Sequence, residues 1–293
     1  MILVADSGST KCDWLLIDDN NHREKTTTMG FNPFFHNTDL IHQKLNENEL
    51  LSTNATRIEE VYFYGAGCSS EARNLIVEKG LRKVFTEAKV VLVDHDLTGA
   101  AVATAGDLPG ITCIIGTGSN SCFSDGEKVH EVVPALGYIL GDEGSGSFFG
   151  KIMLSDWLYH RMPKELAVEF ESKYSLTKEN IFESVYNKPD ANVYLASFMR
   201  FASDNKNHPY FKEMIYQGLA KFISIHVWCY QNFREVPVHF VGSVAYYFRE
   251  VLEEVARNHR FTVGKTEKRP VDPLADYHYS KRIKSNESES VHL

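Results

Sequence analysis

The sequence predicts an α/β protein built of two related domains with a cleft between them. Three observations carry that expectation. Residues 1–107 read in the order β-β-β-α-β-α-β-α. Ile111 then restarts the order with three closely spaced strands. In both places a hairpin turn rich in glycine and hydroxyls follows the first strand: Ser7-Gly8-Ser9-Thr10 in one and Gly116-Thr117-Gly118-Ser119 in the other. Glycines there let a ligand come close to the backbone, and hydroxyls bind oxygen atoms.

The bulk composition narrows the classes. The chain has 293 residues, 43% hydrophobic and 24% charged, enough for one large domain or two medium ones. Its net charge is −8 and no basic block stands out, which argues against nucleic acid as a partner. No apolar stretch approaches the roughly 20 residues needed to span a bilayer, and the N-terminus shows no leader pattern. A cytoplasmic protein with no membrane partner is therefore expected. The five cysteines are scattered without a Cys-x-x-Cys pair, so free thiols are expected.

In chain order, residues 2–6 form an apolar run ending on Asp6, which suits a buried strand. Residues 12–17 return as a second strand, and the polar stretch 22–28 completes a meander. Gly30-Phe31-Asn32-Pro33-Phe34-Phe35 is a loop with one amide and three rings. It suits a hydrophobic anchor and equally a sugar, because Asn both donates to and accepts from hydroxyls while rings cover a pyranose face. Residues 39–51 read as a helix and 60–64 as a strand. A further helix follows Ser69 or Ser70, either of which can cap it. Residues 89–93 form a strand leading into Asp94-His95-Asp96, and the alanine-rich stretch 97–105 is a tightly packed helix. Asp107-Leu108-Pro109-Gly110 is a turn and the domain boundary.

The second domain opens with strands at 111–115, 121–123 and 128–133. Gly141-Asp142-Glu143-Gly144-Ser145-Gly146 sets two carboxylates in a flexible frame before a helix. Two loops this close, both rich in hydroxyls, suggest a phosphate and metal site. From about 148 to 233 the pattern is helical, broken around 187–190 and 207–209. His226, among Phe222, Ile223, Val227 and Trp228, reads as a core or interface histidine. A strand at 238–241 runs into Gly242-Ser243 and then a helix at 246–258. Such a glycine loop suits adenine, or a phosphate at the helix N-terminus. Residues 261–263 form a last strand, and the polar stretch 285–290 reads as a frayed end. The domains are set at 1–107 and 108–275, with the helical insertion in the second. Residues 276–293 are a C-terminal segment free to pack back on the first domain.

These motifs, in this order, resemble the ATPase superfamily of sugar kinases, actin and the heat-shock chaperones. Asp6-x-Gly8-x-Thr10, Gly116-Thr117-Gly118-Ser119-Asn120, Gly141-Asp142-Glu143-Gly144-Ser145 and Gly242-Ser243 carry the resemblance, from Ile2 to about Ala245. Within the superfamily the chain is similar to the BadF/BadG/BcrA/BcrD group and its amino-sugar kinases. The resemblance implies an RNase H-like fold in each domain, with mixed sheets, and ATP with Mg2+ as cofactors. It implies that Gly8, Ser9 and Thr10 hold the terminal phosphates of ATP and that Asp6 holds Mg2+ through water. Thr117 and Gly118 would approach the phosphates from the second domain, while Gly242 and Ser243 border the adenosine. Asp96 matches the acid that faces the hydroxyl to be phosphorylated, and Asn32 and Asp142 match sugar-binding positions. The usual small-residue pattern near the C-terminus is replaced here by the bulky Asp276-Tyr277-His278-Tyr279.

The implied activity is ATP-dependent phosphorylation of N-acetylglucosamine or a related amino sugar, with a small-molecule sugar as partner and a homodimer left open. Phosphoryl transfer needs positioning and charge neutralisation more than covalent catalysis, which suits two hairpins and a few carboxylates. Gly146-x-x-x-Gly150-Lys151-Ile152 has the wrong spacing for a Walker P-loop. Two alternatives come from the same group: an ATPase activator of a dehydratase or reductase, and an ATP-dependent sensor module. The activator would need placed thiolates for an iron–sulfur cluster, whereas Cys113 and Cys122 fall in or beside core strands.

Overall fold

The structure is a computed structural model that describes residues 1–8 and 10–290; Ser9, read above as a phosphate contact, lies outside the described residues. β1 (Ile2–Ser7) buries both of its faces. Leu3 and Ala5 join one apolar cluster, Ile2 and Val4 another. That is why it reads as a continuous apolar run rather than an alternating one. β2 (Lys11–Ile17) and β3 (Arg23–Met29) add the antiparallel meander. α1 (Thr38–Asn46) and α2 (Glu49–Thr53) follow, capped by Asn37 and Asn48, so the single helix expected over 39–51 is two. Asn48 breaks it because its side chain caps the second helix instead of continuing the first.

β4 (Glu60–Gly65), α3 (Glu71–Val84), β5 (Val90–His95) and α4 (Asp96–Thr104) complete the first βαβα run. The sheet order is β3-β2-β1-β4-β5, with β4 and β5 parallel to β1. Trp14, Phe31 and Phe63 form the aromatic centre of one core, Trp14 and Phe63 with centroids 5.9 Å apart.

In the second unit, β6 (Gly110–Ile115), β7 (Ser119–Ser124) and β8 (Val129–His130) repeat the meander. β7 starts two residues earlier than expected and takes in Ser119 and Asn120. β8 covers only part of the expected 128–133, because just Val129 and His130 pair with β7 while Val132 is exposed with no core to face. Then come α5 (Gly137–Leu140), α6 (Gly146–Leu158), α7 (Lys164–Tyr174), α8 (Lys178–Phe182), α9 (Ala191–Ser197), α10 (Met199–Asp204) and α11 (Pro209–His226). They pack through Phe149, Phe170, Phe198, Phe201 and Phe222.

β9 (Val238–Val241), α12 (Ser243–Tyr247), α13 (Arg249–His259) and β10 (Val263–Glu267) close this unit. The last strand lies later than the expected 261–263, because Phe261 plugs the core while 263–267 pair with β9. The sheet order is β10-β9-β6-β7-β8, with β9 parallel to β6. Counted from its own first strand, each sheet reads 3-2-1-4-5, so both are mixed five-stranded sheets of one topology. The fold is α/β, with helices packed on two open mixed sheets.

The compact units are Met1–Asp107 with Arg269–Leu293, and Leu108–Lys268. The chain from Arg269 thus groups with the first unit, not with residues 108–268 as a boundary at 275 assumes. α14 (Val271–Ser290) continues where a frayed end was expected. Val271, Leu274 and Ala275 seal the second apolar face of β1 beside Val4 and Leu15, which gives this otherwise polar helix its anchor.

Candidate functional site

In the first unit the site grows from the end of β1. Gly8 N–H donates to the Lys11 carbonyl at 3.0 Å and closes the hairpin turn. Among the described residues a Cβ on Gly8 would meet only Lys11 O, at 3.8 Å, an ordinary contact. Thr10 is exposed, and its carbonyl accepts from Gly30 N–H at 3.2 Å. The Ser7 hydroxyl accepts from Phe31 N–H at 2.9 Å and docks the aromatic loop against the strand end.

That loop presents Asn32. Its Oδ1 accepts from Phe34 N–H at 3.0 Å and is turned toward Gly67. The amide also carries Nδ2 donors, a group suited to a sugar oxygen. The Arg73 guanidinium lies 3.7 Å over the Phe34 ring.

Asp6 stands opposite Asp13 in the β1–β2 register. Its carboxyl is pushed up to about 7, first by burial, then by the charges of Asp96 and Asp13, with Lys11 opposing. Lys11 is already committed: its Nζ lies 2.8 Å from both oxygens of Asp13. Asp96 and Asp13 thus both act on the charge of Asp6, and the one cation named against them, Lys11, is paired with Asp13. A lone carboxylate such as Asp6 suits Mg2+ that keeps its waters and is held mainly by phosphate oxygens. Among the described residues no group of three or more His, Cys, Asp and Glu is placed to hold a metal ion.

Asp96 is the first residue of α4. The position ahead of the helix is His95, and two hydrogen bonds of the junction go to Asp94: its Oδ1 accepts from His95 N–H at 2.6 Å and from the Thr98 hydroxyl at 3.2 Å. Asp96 Oδ1 lies 3.1 Å from His95 Nε2.

In the second unit the site is made of backbone. The Gly116–Ser119 turn is stitched to the 141–147 loop by four hydrogen bonds. Gly146 N–H donates to Gly116 O at 2.8 Å, and Ser147 N–H to Thr117 O at 3.0 Å. Ser119 N–H donates to Asp142 Oδ1 at 3.2 Å, and the Ser119 hydroxyl to Glu143 O at 2.8 Å. The first amides of α6 therefore satisfy the carbonyls of the turn. Nothing lies within 4 Å of where a Gly116 Cβ would stand, while a Gly118 Cβ would come 2.9 Å from Asp142 Oδ2. Asp142 is buried against this turn; burial raises its carboxyl, and the Ser119 amide opposes.

Gly242 has φ +119°, and a Cβ there would come 2.4 Å from Ile115 O. This glycine is needed because the β9–α12 turn crosses directly over the Ile115–Gly116 backbone. Exposed Ser243 opens α12 and lines a cavity of about 520 Å³ with Ala196, Arg200, Val244 and Tyr247.

Several contributors are given no site role by a sequence reading. Lys11 and Asp13 share a strand face, as the period of two allows, yet only the fold sets Asp13 beside Asp6. Glu143 is approached by Lys221 Nζ at 3.8 Å and His226 Nε2 at 3.9 Å. His226 is a core residue as expected, stacked on Phe222 with centroids 4.7 Å apart, but it also backs this loop. His95 is flagged only by its place in Asp94-His95-Asp96.

No family model and no curated protein matches the chain. Among solved structures it is 38% identical to a candidate N-acetylglucosamine kinase from Porphyromonas gingivalis, covering 96% of this chain and 100% of that one, with a TM-score of 0.90. A candidate N-acetylglucosamine kinase from Chromobacterium violaceum is 14% identical over 94% of this chain and 98% of its own, at 0.68. A ROK family glucokinase from Streptomyces griseus, solved with glucose and AMPPNP, is 14% identical over 94% and 98%, at 0.52. The last two share the fold alone. Among the described residues no helix is long and apolar enough to cross a membrane.

Proposed function

Because the chain belongs to the N-acetylglucosamine kinase-like family of the sugar kinase and actin ATPase superfamily, we propose that it is an ATP-dependent kinase that phosphorylates a hydroxyl of N-acetylglucosamine or a related amino sugar. The observation that carries this is the crowding of Asp6 and Asp96 at the ends of β1 and β5, a negative site that calls for a cation and offers a base.

In the first unit, Gly8 and Thr10 bind terminal phosphate oxygens over the turn, with Ser9 between them in sequence. Asp6 and its water hold Mg2+, which when bound with ATP neutralises charge on the transferring phosphoryl group. Asn32 Nδ2 donates to the sugar. Asp96 orients the acceptor hydroxyl and takes its proton as the oxygen attacks phosphorus; the bond from phosphorus to the ADP oxygen breaks. In the second unit, the Thr117 and Gly118 backbone binds phosphate, and the cavity beside Ser243 takes the adenosine, with Gly242 next to it in sequence bordering the same nucleoside. Asp142 holds the phosphate turn through Ser119 and remains the proposed second sugar contact of this reading.

The activator reading has less support. Cys113 is buried in β6 and burial pushes its thiol well up, away from the thiolate a cluster requires. The direct test is ADP release with ATP, Mg2+ and one acceptor at a time: N-acetylglucosamine, N-acetylmannosamine, glucose or none. Release that depends on an amino sugar is expected. Equal release with no acceptor overturns the kinase assignment.

A further inference from the structure

β5 passes into α4 through three consecutive titratable residues, Asp94, His95 and Asp96. The junction is held from several sides. Asp94 Oδ1 takes the His95 amide and the Thr98 hydroxyl. Asn74 Nδ2 donates to the Val93 carbonyl at 3.1 Å and ties the strand end to α3. Behind the junction α4 sits tight on β4: a Cβ on Gly99 would come 2.6 Å from the Tyr64 Cβ. With the backbone fixed, the His95 imidazole reaches forward over the next residue and sets Nε2 at 3.1 Å from Asp96 Oδ1. Both side chains keep some exposure, 20% and 27%, so a substrate can reach this carboxylate.

A base near another carboxylate has two problems. Its side chain can swing away, and its charge is opposed by its neighbour. A ring N–H donating to one oxygen fixes the first and offsets the second. We propose that His95 is a positioning residue for the phosphoryl acceptor: with Nε2 protonated it donates to Asp96 Oδ1 and holds the carboxylate in the orientation that receives the hydroxyl proton. The inference rests on the reading of Asp96 as the base. In the step itself the acceptor proton goes to Asp96, the new P–O bond forms at the acceptor oxygen, and the bond to the ADP oxygen breaks. His95 keeps its own proton throughout.

The test compares His95→Ala, His95→Gln, Asp96→Asn and the His95→Ala/Asp96→Asn double variant. Steady-state kinetics use Mg·ATP and N-acetylglucosamine, and thermal melting checks the fold of each. Asp96→Asn should cost roughly 100- to 10,000-fold in kcat, the span of a positioned general base. His95→Ala should cost about 10- to 100-fold in kcat, the size of one hydrogen bond to a charged group, with the KM for ATP unchanged. Glutamine carries an N–H at a similar reach, so His95→Gln should recover most of that loss. The double variant should be no slower than Asp96→Asn alone, because the histidine acts only through that carboxylate. Losses that multiply in the double variant overturn the proposal, as does a His95→Ala effect confined to melting temperature. A large loss in Asp96→Asn with none in His95→Ala also overturns it and leaves the base assignment standing. Near wild-type turnover in Asp96→Asn overturns both.

Discussion

In the first unit the candidate functional groups are mostly side chains, whereas in the second they are mostly backbone, with Asp142 and Ser243 as the exceptions. The sheets share one topology, and the turn after the first strand carries a glycine in each; among the described residues a Cβ would meet Lys11 O at 3.8 Å at Gly8 and nothing within 4 Å at Gly116. The first unit surrounds its turn with charge: Asp6, Asp13 and Asp96, with Lys11 bound to Asp13. The second surrounds its turn with hydrogen bonds that leave no choice of conformation: Gly146 and Ser147 amides on its carbonyls, Asp142 on Ser119, and Gly242 against Ile115. The lesson concerns fragility. A side-chain site is broken by removing a charge at constant shape. A backbone site is indifferent to charge and is broken by adding a Cβ.

The largest effect expected from this contrast is at Asp6. Asp6→Asn keeps the shape and removes a charge that burial disfavours, so melting at neutral pH should not fall. Activity at low Mg2+ should fall roughly 10- to 100-fold, the usual cost of losing a partner that acts on a metal through its water. A Mg2+ titration of turnover reads this directly, and superimposable curves for mutant and wild type would show that the charge in the first unit is not used.

Next comes Gly242→Ala, which should do the opposite. It changes no charge, yet it demands φ +119° of an alanine and drives its Cβ to 2.4 Å from Ile115 O. A loss of about 1–3 kcal/mol in stability is expected from the backbone strain alone, with weaker nucleotide binding alongside. Gly116→Ala serves as the control, since its Cβ meets nothing within 4 Å. It should melt like wild type and still bind nucleotide less well. Chemical denaturation and ATP titration of the two variants separate strain from ligand contact, and equal melting of Gly242→Ala and wild type would remove the strain account.

The last expected effect is a shared response to acid. Each unit buries a histidine: His278 in the first, with Tyr62 stacked at 3.6 Å and the Tyr64 hydroxyl 2.9 Å from Nε2, and His239 in the second, accepting from Lys265 N–H at 2.9 Å. Burial lowers both to about 4 from the ordinary 6.5, with the Lys265 charge adding at His239. The unfolded chain therefore binds protons that the folded one refuses. Stability should be flat in these groups above about 6.5 and fall as the pH drops from there toward 4, by about 1.4 kcal/mol per pH unit for each histidine. His278→Asn should flatten the melting-against-pH profile by one such share, and an unchanged slope would show that His278 is not among the groups responsible.

Much of the fold was legible from local pattern. The apolar runs of β1 and β6, the Gly-rich turns that follow them and the alanine-rich α4 all declared themselves, because a strand buried on two faces and a tight turn each demand particular residues on the spot. The misses have a physical cause too. Residues 128–133 carry a strand-like pattern, but only two of them find a partner on β7. α14 has little amphipathic signal, and its anchors Val271, Leu274 and Ala275 become meaningful only beside Ile2 and Leu15.

The candidate site divides the same way. Residue type and spacing picked out the glycine turns and the carboxylates at strand ends, since these are local properties, and the family resemblance gave roles to Asp6, Gly8, Thr10, Asn32, Asp96, Thr117, Gly118, Asp142, Gly242 and Ser243. Tertiary structure decided what each of them meets. It buried Asp6 and set Asp96 and Asp13 near enough to it to lift its carboxyl to about 7, turned Asp142 onto the Ser119 amide, laid Gly242 against Ile115, and folded His95 over its neighbour. Electrostatic coupling and close packing depend on distances between residues far apart in the chain, and only the folded sheets fix those distances.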